Sequence, residues 1–452
     1  MSYIVNTPCG PVQGCPGRVP GTVAYKGIRY ATAGRWEYPT QITAWDGIYD
    51  ATSYGNCSYQ PRAFYNEEEN LKKIFYYNEF RKGETYTYSE DCLFLNIWTP
   101  ENIEPNAKLP VLVYIHGGGF TDGCGHEKHF DGPVWPTKGV IAVTINYRLG
   151  PLGFVCLPEL KEEAGFTGNY GLYDQLTAIR WVRDNIAAFG GDPDAITIMG
   201  QSAGAMSVQQ HCLSPLAKGL VSKAVMSSGG GVSRAMSAGK PEMFYNFWQT
   251  AMANAGCDNL AQFRALPAEK LFQVWQETRK TTKGGGCFPC VDGRLVVGLG
   301  ADLLAAGKQL DIPYMCGSTS EDMMPPMIFA MGRNWCAAQK KPSYTWFFNR
   351  KLPGDDQGAW HSSDLWYWFG TLENCWRPME QKDQELSDQM TDYLCNFVKT
   401  GNPNNQGKLP TWIASDKHQK RALHLGEGKT RMAKPSMLKL IGTMLTNKAV
   451  GE

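Results

Sequence analysis

"ITIMGQSAGAMSV", residues 196–208, decides how this chain is read. Its first half is an apolar, β-branched run of the kind that forms a strand, and its second half has helical composition. At the junction Ser202 stands between Gly200 and Gly204, in a Gly-x-Ser-x-Gly pattern. A strand that turns at once into a helix needs glycines around the turning residue, because side chains there would collide. Such a turn lifts the serine hydroxyl above the sheet edge, at the start of a helix whose dipole favours negative charge. Ser202 is therefore a candidate nucleophile.

The flanking segments support a strand–helix alternation. "LPVLVYIHGGGF" (109–120) and "GVIAVTINYRLG" (139–150) are nearly continuous apolar runs, as expected of strands covered on both faces. "GLYDQLTAIRWVRDNIAAFG" (171–190) places Leu172, Leu176, Ile179, Val182 and Ile186 at helical spacing. "KAVMSSGG" (223–230) and "IPYMCGSTS" (312–320) supply later strands. The expected fold class is α/β, with a large, mostly parallel central sheet and helices on both faces.

Composition narrows the function classes. Lys plus Arg (44) nearly cancel Asp plus Glu (43), and no long run of one sign occurs. A nucleic-acid groove or polybasic membrane patch leaves a larger imprint, so the expected partner is a small molecule bound by shape. No apolar stretch approaches the roughly 18–20 residues that span a bilayer, and "MSYIVNTPCGPVQG" has no basic head followed by an apolar run. The fourteen cysteines are scattered through the chain. A cytoplasmic setting with reduced thiols is the expectation. "CFPC" (Cys287, Cys290) is a lone pair without zinc-finger spacing, and His126 and His129 lie in a glycine-rich loop without a carboxylate motif. Both pairs read as structural, with no metal expected.

"HGGGF", His116 to Phe120, follows a buried strand. A serine attacking an ester carbonyl creates an oxyanion that needs donors held ready. Consecutive glycines let backbone N–H groups approach that oxygen without side chains in the way. The expected donors are the N–H groups of Gly118, Gly119 and Ala203, with His116 as structural support.

These pieces occur in a telling order: "YKGIRYA", "SEDCLFLNIWTP" (89–100), "HGGGF", "NYRLGPLGF", "GNYGLYDQ", "GQSAGAMSV" and "GAWHSSDLWYWFG" (358–370). Through nearly the whole chain the sequence resembles the type-B carboxylesterases, the family that includes cholinesterases and bacterial p-nitrobenzyl-type esterases. The resemblance implies one α/β-hydrolase domain over residues 1–452, no cofactor, and long loops over an active-site gorge. The covering insertions are expected around 60–88, 230–290 and 325–360.

The order of a triad in this fold is nucleophile, acid, histidine. His361 lies in the segment that resembles the family's histidine motif, and is the expected base. The family places a glutamate in a Gly-x-x-x-Asp-Glu-Gly loop; aligning Gly317 of "GSTSEDM" puts Asp322 at that position, with Glu321 beside it as the alternative acid. The family commonly has Glu before the nucleophile, where this chain has Gln201. The neutral amide is expected to favour anionic or phenolic substrates. Ser228, in "MSSGG", resembles a serine that supports the acid and the histidine. Cys57 and Cys92 fall where the family places a disulfide, and Arg35 with Glu90 and Arg148 with Asp174 where it places ion pairs.

The expected reaction is hydrolysis of small apolar or aromatic esters, hydroxycinnamates among them, through an acyl-enzyme. "EMFYNFWQTAM", "MMPPMIFAMG" and "LWYWFG" offer aromatic and Met side chains to line the pocket, against the simpler reading that they are core. Two rival functions share these features: a noncatalytic binding protein on the same fold, and an acyltransferase or amidase using the same triad. Oligomeric state is not legible.

Overall fold

In the computed structural model Leu109–Ile115 forms a strand whose side chains alternate between two cores. Val111, Val113 and Ile115 enter one hydrophobic cluster, and Leu112 and Tyr114 enter another across the sheet. This period-two division is what a strand buried on both faces requires. Lys223–Ser227 repeats it, with Ala224 and Met226 on one side and Val225 on the other. The structure describes residues 3–71, 73–103, 107–233, 238–284, 286–404, 408–418 and 421–446.

The described residues hold an eleven-stranded sheet. In chain order its strands are β1 (Cys15–Pro16), β2 (Thr22–Arg29), β3 (Phe94–Pro100), β4 (Leu109–Ile115), β5 (Ile141–Ile145) and β6 (Gly191–Gln201). There follow β7 (Lys223–Ser227), β8 (Tyr314–Thr319), β9 (Tyr344–Phe348), β10 (Ala422–Leu425) and β11 (Arg431–Ala433). The spatial order is β11-β10-β9-β8-β7-β6-β4-β5-β3-β2-β1. From β10 to β5 all neighbours are parallel, and the strands beyond them pair antiparallel.

Helices cover both faces. α1 (Tyr170–Asn185) sends Leu172, Leu176, Ile179 and Val182 into the first core, as their spacing predicts. α2 (Ala203–Leu213) is buried along its whole length against β6 and β7. α3 (Pro325–Ala337) packs on β8. On the second face, α4 (Leu365–Phe369) packs on α5 (Gln381–Thr400), which buries Met390, Tyr393, Leu394 and Phe397. Among the described residues no helix is long and apolar enough to cross a membrane.

One expectation needs correction. The stretch 325–360 is not only a covering loop: it contains α3 and the central strand β9. The run "YTWFF" is wholly buried, with Tyr344, Trp346 and Phe348 in the second core and Phe347 outside it, so it behaves as an interior strand. The stretch 230–290 folds into helices Glu242–Asn254, Leu260–Arg264 and Ala268–Thr281, with 234–237 and 285 outside the described residues. The stretch 60–88 includes helix Ile74–Phe80.

Candidate active site

β6 ends at Gln201, α2 begins at Ala203, and Ser202 between them has φ 56° and ψ −124°. A non-glycine residue at positive φ outside the small left-handed basin is strained, by about 1–3 kcal/mol. Neighbouring backbone holds it there: Ser202 N–H donates to the Ser227 carbonyl (2.9 Å), and the Ser202 carbonyl accepts from Met206 N–H (3.0 Å). The flanking glycines are obligatory. A Cβ on Gly200 would lie 2.3 Å from the Gly204 carbonyl carbon, and one on Gly204 would lie 2.0 Å from the Ile115 carbonyl oxygen.

The glycine loop leaves β4 beside this turn. Gly118 (φ 102°) and Gly119 (φ 63°) both occupy conformations that favour glycine. A Cβ on Gly117 would sit 2.7 Å from the Gln201 carbonyl oxygen and 3.0 Å from Ser202 Cβ, so the loop lies directly against the serine. The Gly118 carbonyl accepts from Thr121 N–H (3.0 Å) and Asp122 N–H (2.9 Å), which folds the loop into a tight turn. Gln60 clamps its far end, accepting from Gly123 N–H (2.8 Å) and donating to the Gly123 carbonyl (3.1 Å). The Gly118 and Gly119 N–H groups meet no backbone acceptor among the described residues, and the Ala203 N–H opens α2, where the first donors lack helical partners. All three remain available to a ligand.

The acid and the histidine come from the loops after β8 and β9. Asp322, fully buried, holds His361 Nδ1 at 2.6 Å. Its other oxygen accepts from the Thr319 N–H (3.3 Å) and hydroxyl (3.2 Å), and Met323 N–H adds a contact to the first (2.9 Å). Burial pushes the Asp322 carboxyl up, but the His361 charge and hydrogen bond outweigh it, with help from Ser228, and hold the group below its ordinary range. The Ser228 hydroxyl does this from beside the carboxylate without a hydrogen bond of good geometry. Burial lowers His361, while Asp322 and then Asp364 raise it further, leaving the imidazole above its ordinary value.

Of the two candidate acids the structure brings Asp322, not Glu321, to the histidine. Glu321 turns aside: its carboxylate accepts from Ala359 N–H (2.8 Å), and its own N–H donates to the Ala359 carbonyl (3.1 Å). That clip ties the acid loop to the segment two residues before His361. Gln201 donates its side-chain amide to His361 Nε2 at 3.1 Å. His116 is buried with Nδ1 2.8 Å from the Gly117 carbonyl, and burial pushes it down to about 4, so it stays neutral in a supporting position.

Sequence reasoning missed Asp364. It is wholly buried three residues after His361, accepts from the Ser227 hydroxyl (2.9 Å) and Trp368 Nε1 (3.0 Å), and leaves its other oxygen without a partner among the described residues. Burial first, then the nearby Asp322 charge, push it up to about 6 against the opposing hydrogen bonds. The signal was present in the sequence as an acid in "HSSD".

Ser202, Asp322, His361, Gln201 and the glycine loop open onto one cavity of about 580 Å³. Its aromatic wall includes Tyr65, Tyr76, Phe80, Trp275 and Phe288, with Lys73 and Arg279 among the cations. The segments expected to line it are mostly core: Phe247 and Trp248, Ile328 and Phe329, and Trp366 to Phe369 are buried, while Met323 and Leu365 from them do reach the cavity. The ion pairs are formed, Arg148 grasping Asp174 through two nitrogens (2.9 and 2.7 Å) and Arg35 gripping Glu90. Cys57 and Cys92 are both free thiols.

Known proteins resemble this chain in sequence and in fold. The model of the carboxylesterase family matches residues 1–334 and 328–439. The para-nitrobenzyl esterase of Bacillus subtilis (strain 168) is 36% identical over 329 residues, covering 71% of this chain and 63% of the relative. The fumonisin B1 esterase of Sphingopyxis macrogoltabida is 33% identical over 328 residues, covering 70% and 56%. The chain thus matches less than two thirds of the length of either. A solved PNB esterase superposes with a TM-score of 0.84 at 27% identity, covering 98% of this chain and 99% of that one. An esterase from anaerobic Clostridium hathewayi, described as able to hydrolyse aliphatic aromatic polyesters, superposes with a TM-score of 0.80 at 26% identity, covering 99% and 98%. On its sheet, its serine turn and the match over most of its length, the chain has the α/β-hydrolase fold and belongs to the carboxylesterase family.

Proposed function

We propose that this chain is a serine carboxylesterase that cleaves small apolar or aromatic esters through an acyl-enzyme. One observation carries the reading. A strained serine, a histidine held by a buried aspartate and a loop of free N–H donors meet in a single cavity.

The chemistry follows from the geometry. Ionised Asp322 only accepts hydrogen bonds, so His361 carries its proton on Nδ1 and keeps Nε2 unprotonated, able to act as base once the Gln201 amide lets go of it. Nε2 takes the Ser202 proton as Oγ attacks the ester carbonyl. The Gly118, Gly119 and Ala203 N–H groups meet the oxyanion, each such donor being worth about 3 kcal/mol in comparable sites. His361 then gives its proton to the departing alcohol, and water activated by the same nitrogen releases the acid.

Gln201 adds a step of its own. Its amide sits on Nε2 in the resting geometry, so it must yield that lone pair when Ser202 turns toward the histidine. It keeps the neutral, base-competent imidazole oriented until then.

The cavity volume falls inside the roughly 300–1,000 Å³ range of small-molecule sites, and its ring-lined wall suits an aryl group. Hydroxycinnamate esters are the substrate class this favours. The test is hydrolysis of a panel of p-nitrophenyl and hydroxycinnamoyl esters by wild type and Ser202→Ala. Activity that collapses in the variant, with methyl ferulate ahead of a matched aliphatic ester, supports the reading. Equal turnover of the two would remove the aromatic preference, and a folded but inactive wild type would favour a binding protein.

A further inference from the structure

Behind the glycine loop lies a second cluster of chemically capable side chains that esterolysis does not use. Cys57, Cys124 and His126 are all buried, and each offers one ligand atom within 4.8 Å of the other two. Cys57 Sγ lies 3.5 Å from His126 Nε2. The His126 ring is stacked on Tyr54 at 4.5 Å and 8°, which fixes its orientation. Its Nδ1 has no hydrogen-bond partner among the described residues, although the residue is only 8% exposed. The imidazole is thus a buried polar group whose only near partner is a thiol, which is a weak donor.

We propose that Cys57, Cys124 and His126 bind a single thiophilic d10 metal ion of the zinc(II) class. Zinc takes thiolate sulfur at about 2.3 Å and imidazole nitrogen at about 2.0–2.1 Å, which in a tetrahedron sets sulfur and nitrogen about 3.5 Å apart. Cys57 Sγ and His126 Nε2 already have that spacing, and Cys124 Sγ lies within 4.8 Å of the ligand atoms of both. Two sulfurs and one imidazole select zinc or copper(I) over magnesium or calcium, which require oxygen. Binding displaces the two thiol protons to solvent, so two thiolates cancel the charge of the ion. The filled site is neutral and suits a buried position.

The location gives the ion a structural consequence. Cys124 follows Gly123, whose N–H and carbonyl are already clamped by Gln60, and Gly125 N–H donates to Asn146 Oδ1 (2.7 Å). Cys57 belongs to a separate two-residue strand, Cys57–Ser58. A metal there would pin that strand to the segment leading out of the glycine loop, adding a cross-link that holds the loop's donors in place.

The test uses cobalt(II) and zinc(II) as probes on the reduced, chelator-treated full chain under nitrogen. The expected result is one cobalt per chain, two protons released per ion, a thiolate-to-cobalt charge-transfer band, and displacement by zinc. The band should vanish in Cys124→Ser and His126→Gln and persist in Cys290→Ser, which removes a thiol from another close pair, Cys156 and Cys290 (3.9 Å). Should Cys124→Ser not fold, peptide mapping of wild type decides: zinc should protect Cys57 and Cys124 from iodoacetamide. No thiolate band, a band lost only in Cys290→Ser, alkylation unchanged by zinc, or a Cys57–Cys124 disulfide in place of metal uptake would each overturn the proposal.

Discussion

Gln201 and Asp322 hold His361 from opposite ring nitrogens, Gln201 donating to Nε2 at 3.1 Å and Asp322 accepting from Nδ1 at 2.6 Å. The histidine is therefore fixed in one tautomer before substrate arrives. Its basicity is set by what sits on each side, and the neutral amide on the Nε2 side is where this chain departs from the family's commoner glutamate.

Gln201→Glu should place a carboxylate against Nε2 and favour the imidazolium. The acid limb of kcat/KM is then expected to move up by about one pH unit, equivalent to about 1.4 kcal/mol. A pH profile on one neutral ester checks this. An unmoved limb would mean that Gln201 does not face the base in solution.

In wild type the sign is already determined. His361 must be neutral to accept the serine proton, and Asp322 and Asp364 lift its pKa above the ordinary value despite burial. The acid limb should therefore lie above pH 6.5, the usual imidazole value, with little activity at pH 5. Asp322→Asn removes both the larger charge and the tautomer control. It should lower kcat by about 10⁴-fold, the scale known for a triad acid-to-amide change. Activity of Asp322→Asn within tenfold of wild type would shift the role to another acid.

Asp364→Asn separates a charge from a shape. The Asp364 carboxyl is pushed up to about 6, so the fold holds its proton more tightly than the unfolded chain does. Its stabilising contribution is complete below the ordinary carboxylate pKa and is lost as pH rises through about 6. Asparagine keeps an acceptor for Ser227 and Trp368 and cannot ionise. Relative to wild type, the variant should gain stability between pH 5 and pH 8, on the order of 2 kcal/mol. Its acid limb should also move down, because a charge that raises His361 is gone. Denaturant unfolding at the two pH values and a rate profile read both effects.

Asp174→Ala strands the Arg148 guanidinium in the core, where the wild-type carboxylate also accepts from Arg148 N–H (3.0 Å). Breaking one side of a buried pair is expected to cost about 3–5 kcal/mol. The midpoint of urea unfolding is the measurement, and a loss below 1 kcal/mol would mean that water reaches the pair.

What the sequence revealed and what it hid have physical causes. β4 and β5 were legible because parallel strands covered on both faces must be apolar throughout. The serine turn was legible because Gly200 and Gly204 face backbone atoms that no side chain can share. β9 was overlooked because its aromatic run lies within a stretch assigned to the covering loops. Most of the cavity wall was misplaced for another reason. Tyr65 and Tyr76 come from turns and a short helix without periodicity, while the Met- and Trp-rich segments mainly satisfy the core and send only Met323 and Leu365 to the cavity. His126 was considered with His129, three residues along the chain, when its near partner is Cys57, 69 residues distant. Contacts of that kind arise from tertiary folding alone.

Acyl-enzyme capture tests the central claim most directly. Wild type mixed rapidly with excess p-nitrophenyl butyrate should release a burst of one p-nitrophenolate per chain where deacylation is the slower step, and acid-quenched protein should carry a butyryl group on the peptide containing Ser202. Ser202→Ala should show neither burst nor adduct. A butyryl group mapped to another residue, or hydrolysis undiminished in Ser202→Ala, would contradict the account.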